Sequence, residues 1–400
     1  MNLKNKSFPN IILCSFLFLA SLNLASRFFV FVFLAFFCLI ISIKELKMND
    51  HSMLYLLLGV VMIGYHYEDG ILSMLKCLSY AFFYLIGYNL VQASYNIEVG
   101  REENRKEIVK SAYRILIIVS IGSFVHYILN YVYNLGQDVG RNTNDIWTGE
   151  ALAATGQGAL SCLAVGLAVA LIIAARKKSG RICGAGMLLS IMAYNLVLGG
   201  RTLIFIFVLV SILGIVFYSI NLQSLKGRLN VIVVIAGLVV ATMLFYVFNV
   251  FGVRTIVESS NLYLRFKGGS EDMLLESGRG NRKISFLKNM AKFPFGGLNL
   301  RNEFGYAHDL LLDGYDQYGV IVLILLIVIL CLGAKELMTF CQNKENEMIY
   351  RMSFLCIYVS VLLEFCVEPI FDGMPWLFAC YCLINGCLAG GNRAFHLTDQ

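Results

Sequence analysis

Residues 202–220 read TLIFIFVLVSILGIVFYSI, a run without one charged side chain. A helix needs about 20 mostly apolar residues to cross the ~30 Å hydrocarbon layer of a bilayer. This run meets that requirement alone. Arg201 stands before it, and Lys226 and Arg228 flank Gly227 after it. Working outward, the pattern repeats: apolar runs fall near 10–26, 28–43, 52–66, 71–92, 113–135, 151–175, 182–199, 202–220, 229–252, 309–334, 349–367 and 375–391. The chain is 58% hydrophobic and its mean hydropathy is +0.72, well above a soluble domain. The reading is an all-α, polytopic integral membrane protein with about twelve spans. The first run is not a cleavable signal peptide, because a second apolar run follows at once and no clear small-residue cleavage site separates the two.

Lysine and arginine in the short loops set the orientation. Basic residues occupy every second connection: Lys4 and Lys6, Lys44 and Lys47, Arg101 to Lys110, Arg176 to Arg181, Lys226 and Arg228, Lys335 and Lys344. The intervening loops carry Glu68 and Asp69, then Asp138, Asp145 and Glu150, then Glu364, Glu368 and Asp372, with Arg27 and Arg141 as isolated basic residues. Both termini are therefore expected in the cytoplasm. One segment departs from the rule. Residues 253–306 divide the spans 1–252 from the spans in 307–400 and fall on the outer side. They hold nine basic and five acidic residues, a net +4. A basic excess there points to an anionic partner handled outside the cytoplasm.

Several chemistries are disfavoured. The twelve cysteines lie mostly inside apolar runs, where Cys behaves as a small hydrophobe. Cys380 and Cys382 have no histidine cluster beside them, so no zinc site is expected. There is no phosphate-binding glycine loop and no nucleotide fingerprint, so neither a cofactor nor a nucleic-acid partner is expected. No repeat relates the two halves, which argues against a repeat-built transporter.

Charged residues at the membrane boundary are the candidates for chemistry. Arg201, in Gly199-Gly200-Arg201-Thr202, is either a snorkelling helix-end residue or an intramembrane functional group. In the long loop, Arg279 sits in the Gly-flanked turn Ser277-Gly278-Arg279-Gly280. Its planar fork suits a phosphate bidentately. Arg265 and Arg282 are further substrate-binding candidates. The stretch Asn281–Lys292 is amphipathic, with Ile284, Leu287 and Met290 on one face, and its lysines suit lipid headgroups. His308 stands at the mouth of the tenth run and can accept a proton near neutral pH. Asp309, Asp313 and Asp316 follow; they orient the histidine, or solvate the helix end and suit its dipole. Glu364 and Glu368, one turn apart, need a wet cavity or a cation, supplied by the arginines or by Lys76.

Taken in order, Gly-Gly-Arg-Thr between two spans, Ser-Gly-Arg in a large outer loop, Phe293-Pro294-Phe295-Gly296-Gly297, and Tyr306-Ala307-His308-Asp309-Leu310 followed by Tyr318-Gly319 resemble the O-antigen polymerase and ligase superfamily. The likeness covers about 195–335, with Asp309 where that superfamily has Asn. It implies a bacterial inner-membrane glycosyltransferase of GT-C type, without cofactor or metal. The donor and acceptor are polyprenyl-pyrophosphate-linked oligosaccharides at the outer leaflet. A chain-length regulator and a flippase are the implied protein partners. The resemblance assigns the pyrophosphate to Arg201 and Arg279, and the acceptor hydroxyl to His308. The expected function is polymerisation of the repeat units of a surface polysaccharide (O-antigen, capsule or exopolysaccharide). The alternatives are a ligase that transfers the finished glycan, or a lipid-linked oligosaccharide flippase, which calls for charges deep in several spans.

Overall fold

The computed structural model describes residues 7–43, 45–66, 70–94, 101–137, 142–222, 243–244, 246–268, 279–304 and 308–399. Eight helices come first: α1 (Ser7–Ser21), α2 (Phe28–Ser42), α3 (Asp50–His66), α4 (Ile71–Gln92), α5 (Arg101–Tyr133), α6 (Ala154–Ala174), α7 (Lys178–Leu198) and α8 (Arg201–Asn221). Four short helices belong to the long loop: α9 (Val253–Glu258), α10 (Asn261–Gly268), α11 (Arg279–Asn289) and α12 (Leu298–Phe304). Then come α13 (Leu310–Gln342), α14 (Met348–Phe365), the single turn α15 (Ile370–Gly373) and α16 (Pro375–Asp399). A two-stranded antiparallel hairpin, β1 (Asn142–Asn144) and β2 (Ala151–Ala153), precedes α6.

Seven of the described helices, α4 to α8, α13 and α14, are long and apolar enough to cross a membrane. α1, α2 and α3 are apolar but shorter. The expected run 229–252 lies mostly outside the described residues. Several helices outrun their apolar runs. α5 starts at Arg101 rather than 113, because its first turns carry the pairs Lys106–Glu102 (2.7 Å) and Lys110–Glu107 (3.0 Å), which hold a polar helix together. α13 likewise continues past 334 to Gln342.

The core is built on close backbone approach. A Cβ at Gly87 of α4 would strike the Leu383 carbonyl, and one at Gly386 of α16 would strike that of Tyr84. Gly166 of α6 meets Cys356 and Ile357 of α14 in the same way. Small residues at such crossings replace the hydrophobic drive that lipid does not supply. α8 turns Phe205, Ile212 and Ile220 outward, an apolar surface suited to lipid.

One face of the bundle gathers the features of interest. α6, α8 and α13 begin there, and α7 and α14 end there. The long loop is tied to it at both ends. Asn261 Nδ2 at the start of α10 donates to the Val197 carbonyl of α7 (2.7 Å), and Lys283 of α11 reaches the Cys366 carbonyl beyond α14 (3.1 Å).

α13 is interrupted on this face. Gly319 has φ 72 and ψ −169, a region essentially restricted to glycine. In an unbroken helix the Val320 amide would donate to the Asp316 carbonyl. Instead Val320 N donates to the Pro294 carbonyl (2.9 Å), and the Asp316 carbonyl accepts from Gly297 N (2.6 Å). The Pro294–Gly297 turn thus takes both ends of the lost bond, as buried backbone groups require. Gly296 (φ 64) permits the approach, since a Cβ there would collide with the Tyr315 carbonyl.

Candidate functional site

Arg201 is the first residue of α8. Gly199 ends α7 in the left-handed conformation (φ 69), and Gly200 follows as the N-cap. Asn195 Nδ2 donates to the Gly200 carbonyl (2.9 Å), which fixes this short turn. Arg201 is half-buried, and forms no hydrogen bond or ion pair with any described residue. No side chain caps the first turn of α8 or of α6, so their amide donors stay directed at the space before them.

Glu364 lies in the last turn of α14 and is fully buried. Neither of its oxygens has a hydrogen-bond donor among the described residues. A Cβ built at Gly158 of α6 would stand 4.0 Å from Glu364 Oε1 and 4.0 Å from Leu203 Cβ of α8. The carboxyl therefore faces the wedge between α6 and α8, near the helix start that carries Arg201. Glu368, one turn on, is buried as well. The suggested pairing of these acids with Lys76 is not what forms. Lys76 Nζ donates to the Phe371 carbonyl (3.5 Å), because α4 presents it to the turn before α16.

The basic helix α11 crosses this region. Lys283 Nζ bonds Asp309 Oδ2 (2.9 Å) while donating to the Cys366 carbonyl. Asp309 also caps α13, accepting from Leu312 N (2.8 Å). Below the helix, Phe286, Leu300, Leu312 and Tyr315 form a small apolar core, and the Tyr315 hydroxyl donates to the Met290 and Phe293 carbonyls. The apolar face read from the sequence is left largely outside this core. Phe286 is the buried residue, while Ile284 and Leu287 are each 53% exposed. His308 precedes the Asp309 cap and is itself buried.

Of the acidic residues after His308, Asp309 serves the helix end, but Asp313 and Asp316 do not solvate it. Asp313 is fully buried and accepts from Phe371 N (2.6 Å) and Gln317 Nε2 (2.7 Å). Asp316 is buried and accepts from Arg301 Nε (2.8 Å). Arg301 also reaches Asp372 (3.5 Å). Desolvation lowers the Arg301 pKa, but the Asp316 bond and the nearby carboxylates outweigh it, and the net shift is upward. These groups fasten α12, α13 and α15 together, a structural role their sequence spacing does not disclose. Asp309 itself serves the cap through one oxygen and Lys283 through the other.

Of the expected site residues, the structure brings His308, Asp309 and the α11 backbone to one place, and Arg201 and Glu364 to the adjoining wedge. The side chains of Arg265, Arg279 and Arg282 lie outside the described residues. Their backbones are helical, and Arg279 opens α11.

A second polar cluster on the same face was not foreseen. His126, Asn130 and Asn134 rise along α5 at four-residue spacing and hold the hairpin. His126 Nε2 bonds Asp145 Oδ2 (2.9 Å). Asn130 accepts from Ile146 N (2.9 Å), and Asn134 accepts from Asn144 N (2.8 Å). The signal was present as a polar stripe inside an apolar run.

No protein-family profile matches this chain, and no characterised protein matches it significantly.

Proposed function

We propose that this chain is a bacterial inner-membrane glycosyltransferase of GT-C type. In this reading it polymerises polyprenyl-pyrophosphate-linked repeat units of a surface polysaccharide, with the long loop outside. The observation that carries the proposal is the course of α11. Lys283 ties a basic helix at once to Asp309, beside His308, and to Cys366, two residues past Glu364. A cationic element, a histidine and buried carboxylates then share one mouth next to apolar helices, which suits a lipid-anchored anion.

In this reading Arg201 and Arg279 hold the donor pyrophosphate and neutralise the charge that develops as its bond to the anomeric carbon breaks. An acceptor hydroxyl oxygen forms the new glycosidic bond. Its proton passes to His308, and the polyprenyl pyrophosphate departs from the arginines. Glu364 and Glu368 bind sugar hydroxyls of the substrate, whose donated bonds satisfy the Glu364 carboxylate, otherwise costly to bury. Arg265 and Arg282 assist with the phosphates.

The test uses purified protein in vesicles with lipid-linked repeat units extracted from a host lacking this gene. A ladder of repeat multiples with release of polyprenyl pyrophosphate is expected. Single transfer of a preformed chain would make the protein a ligase. Transbilayer movement of unconsumed donor would make it a flippase.

A further inference from the structure

A cavity of about 210 Å³ opens on the same face, between the α1–α2 turn, α5, the hairpin and the start of α16. That is well above the ~10–15 Å³ one water requires. Its floor is buried and includes His126 and Trp376; its rim includes the exposed Thr148 and Glu150. His126 is 1% exposed. Its Nε2 is engaged by Asp145, so Nε2 carries the proton and Nδ1 is left as an acceptor. Asp145 is held in place by the Trp147 amide (2.9 Å) and the Thr148 amide (3.1 Å) on its other oxygen.

Two residues that line this cavity carry a buried acceptor, His126 Nδ1 and Asn23 Oδ1, that has no donor among the described residues. Asn23 stands in a turn with left-handed backbone at Asn23 (φ 48), Ala25 (φ 53) and Ser26 (φ 54), a conformation non-glycine residues rarely adopt. Of the two tryptophans of the chain, Trp376 lines the cavity, and Trp147 stands next to a lining residue, its ring 5.6 Å from that of His126. No lysine or arginine is among the described lining residues.

The geometry points to a binding site for a neutral, hydroxyl-rich ligand, a saccharide unit, in the cavity lined by His126, Asn23 and Trp376. Sugar hydroxyls supply the donors that the two acceptors need. Aromatic side chains offer broad apolar surface with a polar handle for the less polar parts of a sugar ring. Acids without a cation disfavour phosphate or uronate. The inference does not rest on the polymerase reading, since any protein handling glycans could use such a site.

The tryptophans report directly on it. Purified protein in nanodiscs, free of sugar-headed detergent, is titrated with cellotriose, chitotriose and a galacturonic acid trimer while intrinsic fluorescence is followed. A saturable change with a neutral trisaccharide is expected, with none from the acidic trimer. Asn23→Ala and His126→Gln each raise the dissociation constant about tenfold with the melting temperature retained; Asn23→Ala serves alone if His126→Gln fails to fold. The proposal is overturned if no neutral probe gives a saturable change, which would mean a water-filled cavity only. A preference for the acidic trimer, or undiminished binding in a folded variant, overturns it equally. The assay contains no lipid-linked donor, so its failure is distinct from failure of the polymerase reading.

Discussion

Glu364 is the most informative single residue. A buried carboxyl without a donor is held at a cost in stability. Groups kept under such conditions commonly serve activity rather than folding. Glu364→Leu is therefore expected to leave the melting temperature unchanged or higher, while turnover falls at least tenfold, ~1.4 kcal/mol of transition-state stabilisation. Loss of activity that merely tracks loss of folded protein would make the residue structural. The arginines give a second expectation. Arg201→Lys and Arg279→Lys keep the charge but lose the fork, so each should lower turnover at least tenfold with membrane insertion intact; normal turnover in either variant removes that residue from the pyrophosphate. Residue identity was legible in part. Arg201, His308 and Glu364 stand out because ionisable groups at membrane depth are rare. Their partners were not legible. Asp316 pairs with Arg301, and Asp313 with the Phe371 amide, across chain separations that one-turn spacing along a helix cannot anticipate.

At the scale of elements, apolar length announced the seven long helices, because the bilayer fixes how long they must be. It could not announce the break in α13, since an isolated glycine inside a helical run is tolerated and the compensating bonds come from Pro294 and Gly297. Gly319→Ala should expose this dependence. A Cβ there would stand 2.8 Å from Phe295 Cα and from the Pro294 carbonyl oxygen. The strain alone is worth ~1–3 kcal/mol, so a lowered melting temperature and faster proteolysis within 279–304 are expected. An unchanged melt and digest would mean that the turn is not held by the break. The hairpin was equally hidden, and its attachment has a definite pH dependence. Burial raises the Asp145 pKa, but the His126 bond and the Trp147 and Thr148 amides outweigh this and leave it below the ordinary carboxylate value. A lowered folded pKa stabilises above the unfolded value, ~3.9, and that stabilisation is lost as pH falls through the folded one. Hydrogen-exchange protection of the Trp147 and Thr148 amides should persist from neutral pH to about pH 4 and decline below it. A decline already complete at pH 6 would locate the switch elsewhere.

At the scale of the molecule, two independent asymmetries coincide. The short loops are basic on one side of the chain's alternation and acidic or sparse on the other. In three dimensions the second side is the face where α11, the hairpin, the saccharide cavity and the buried acids meet. A basic loop would be unremarkable on the cytoplasmic side. On the other side, a net +4 segment needs a reason. The fold supplies part of one, since Lys283 and Arg301 are consumed in fastening the loop to Asp309 and Asp316. Everything then turns on which side of the membrane this face occupies. In a background freed of native cysteines, Thr148→Cys, Ser259→Cys and Asn302→Cys occupy exposed positions on the loop-bearing face, and Lys344→Cys lies beyond the opposite end of α13. The first three should react with an impermeant thiol reagent in spheroplasts, and Lys344→Cys only after the membrane is opened. The reverse pattern would put the loop in the cytoplasm and deny it a donor presented at the outer leaflet. Labelling of Thr148→Cys without Ser259→Cys would separate the cavity from the long loop, and the shared face would have to be abandoned.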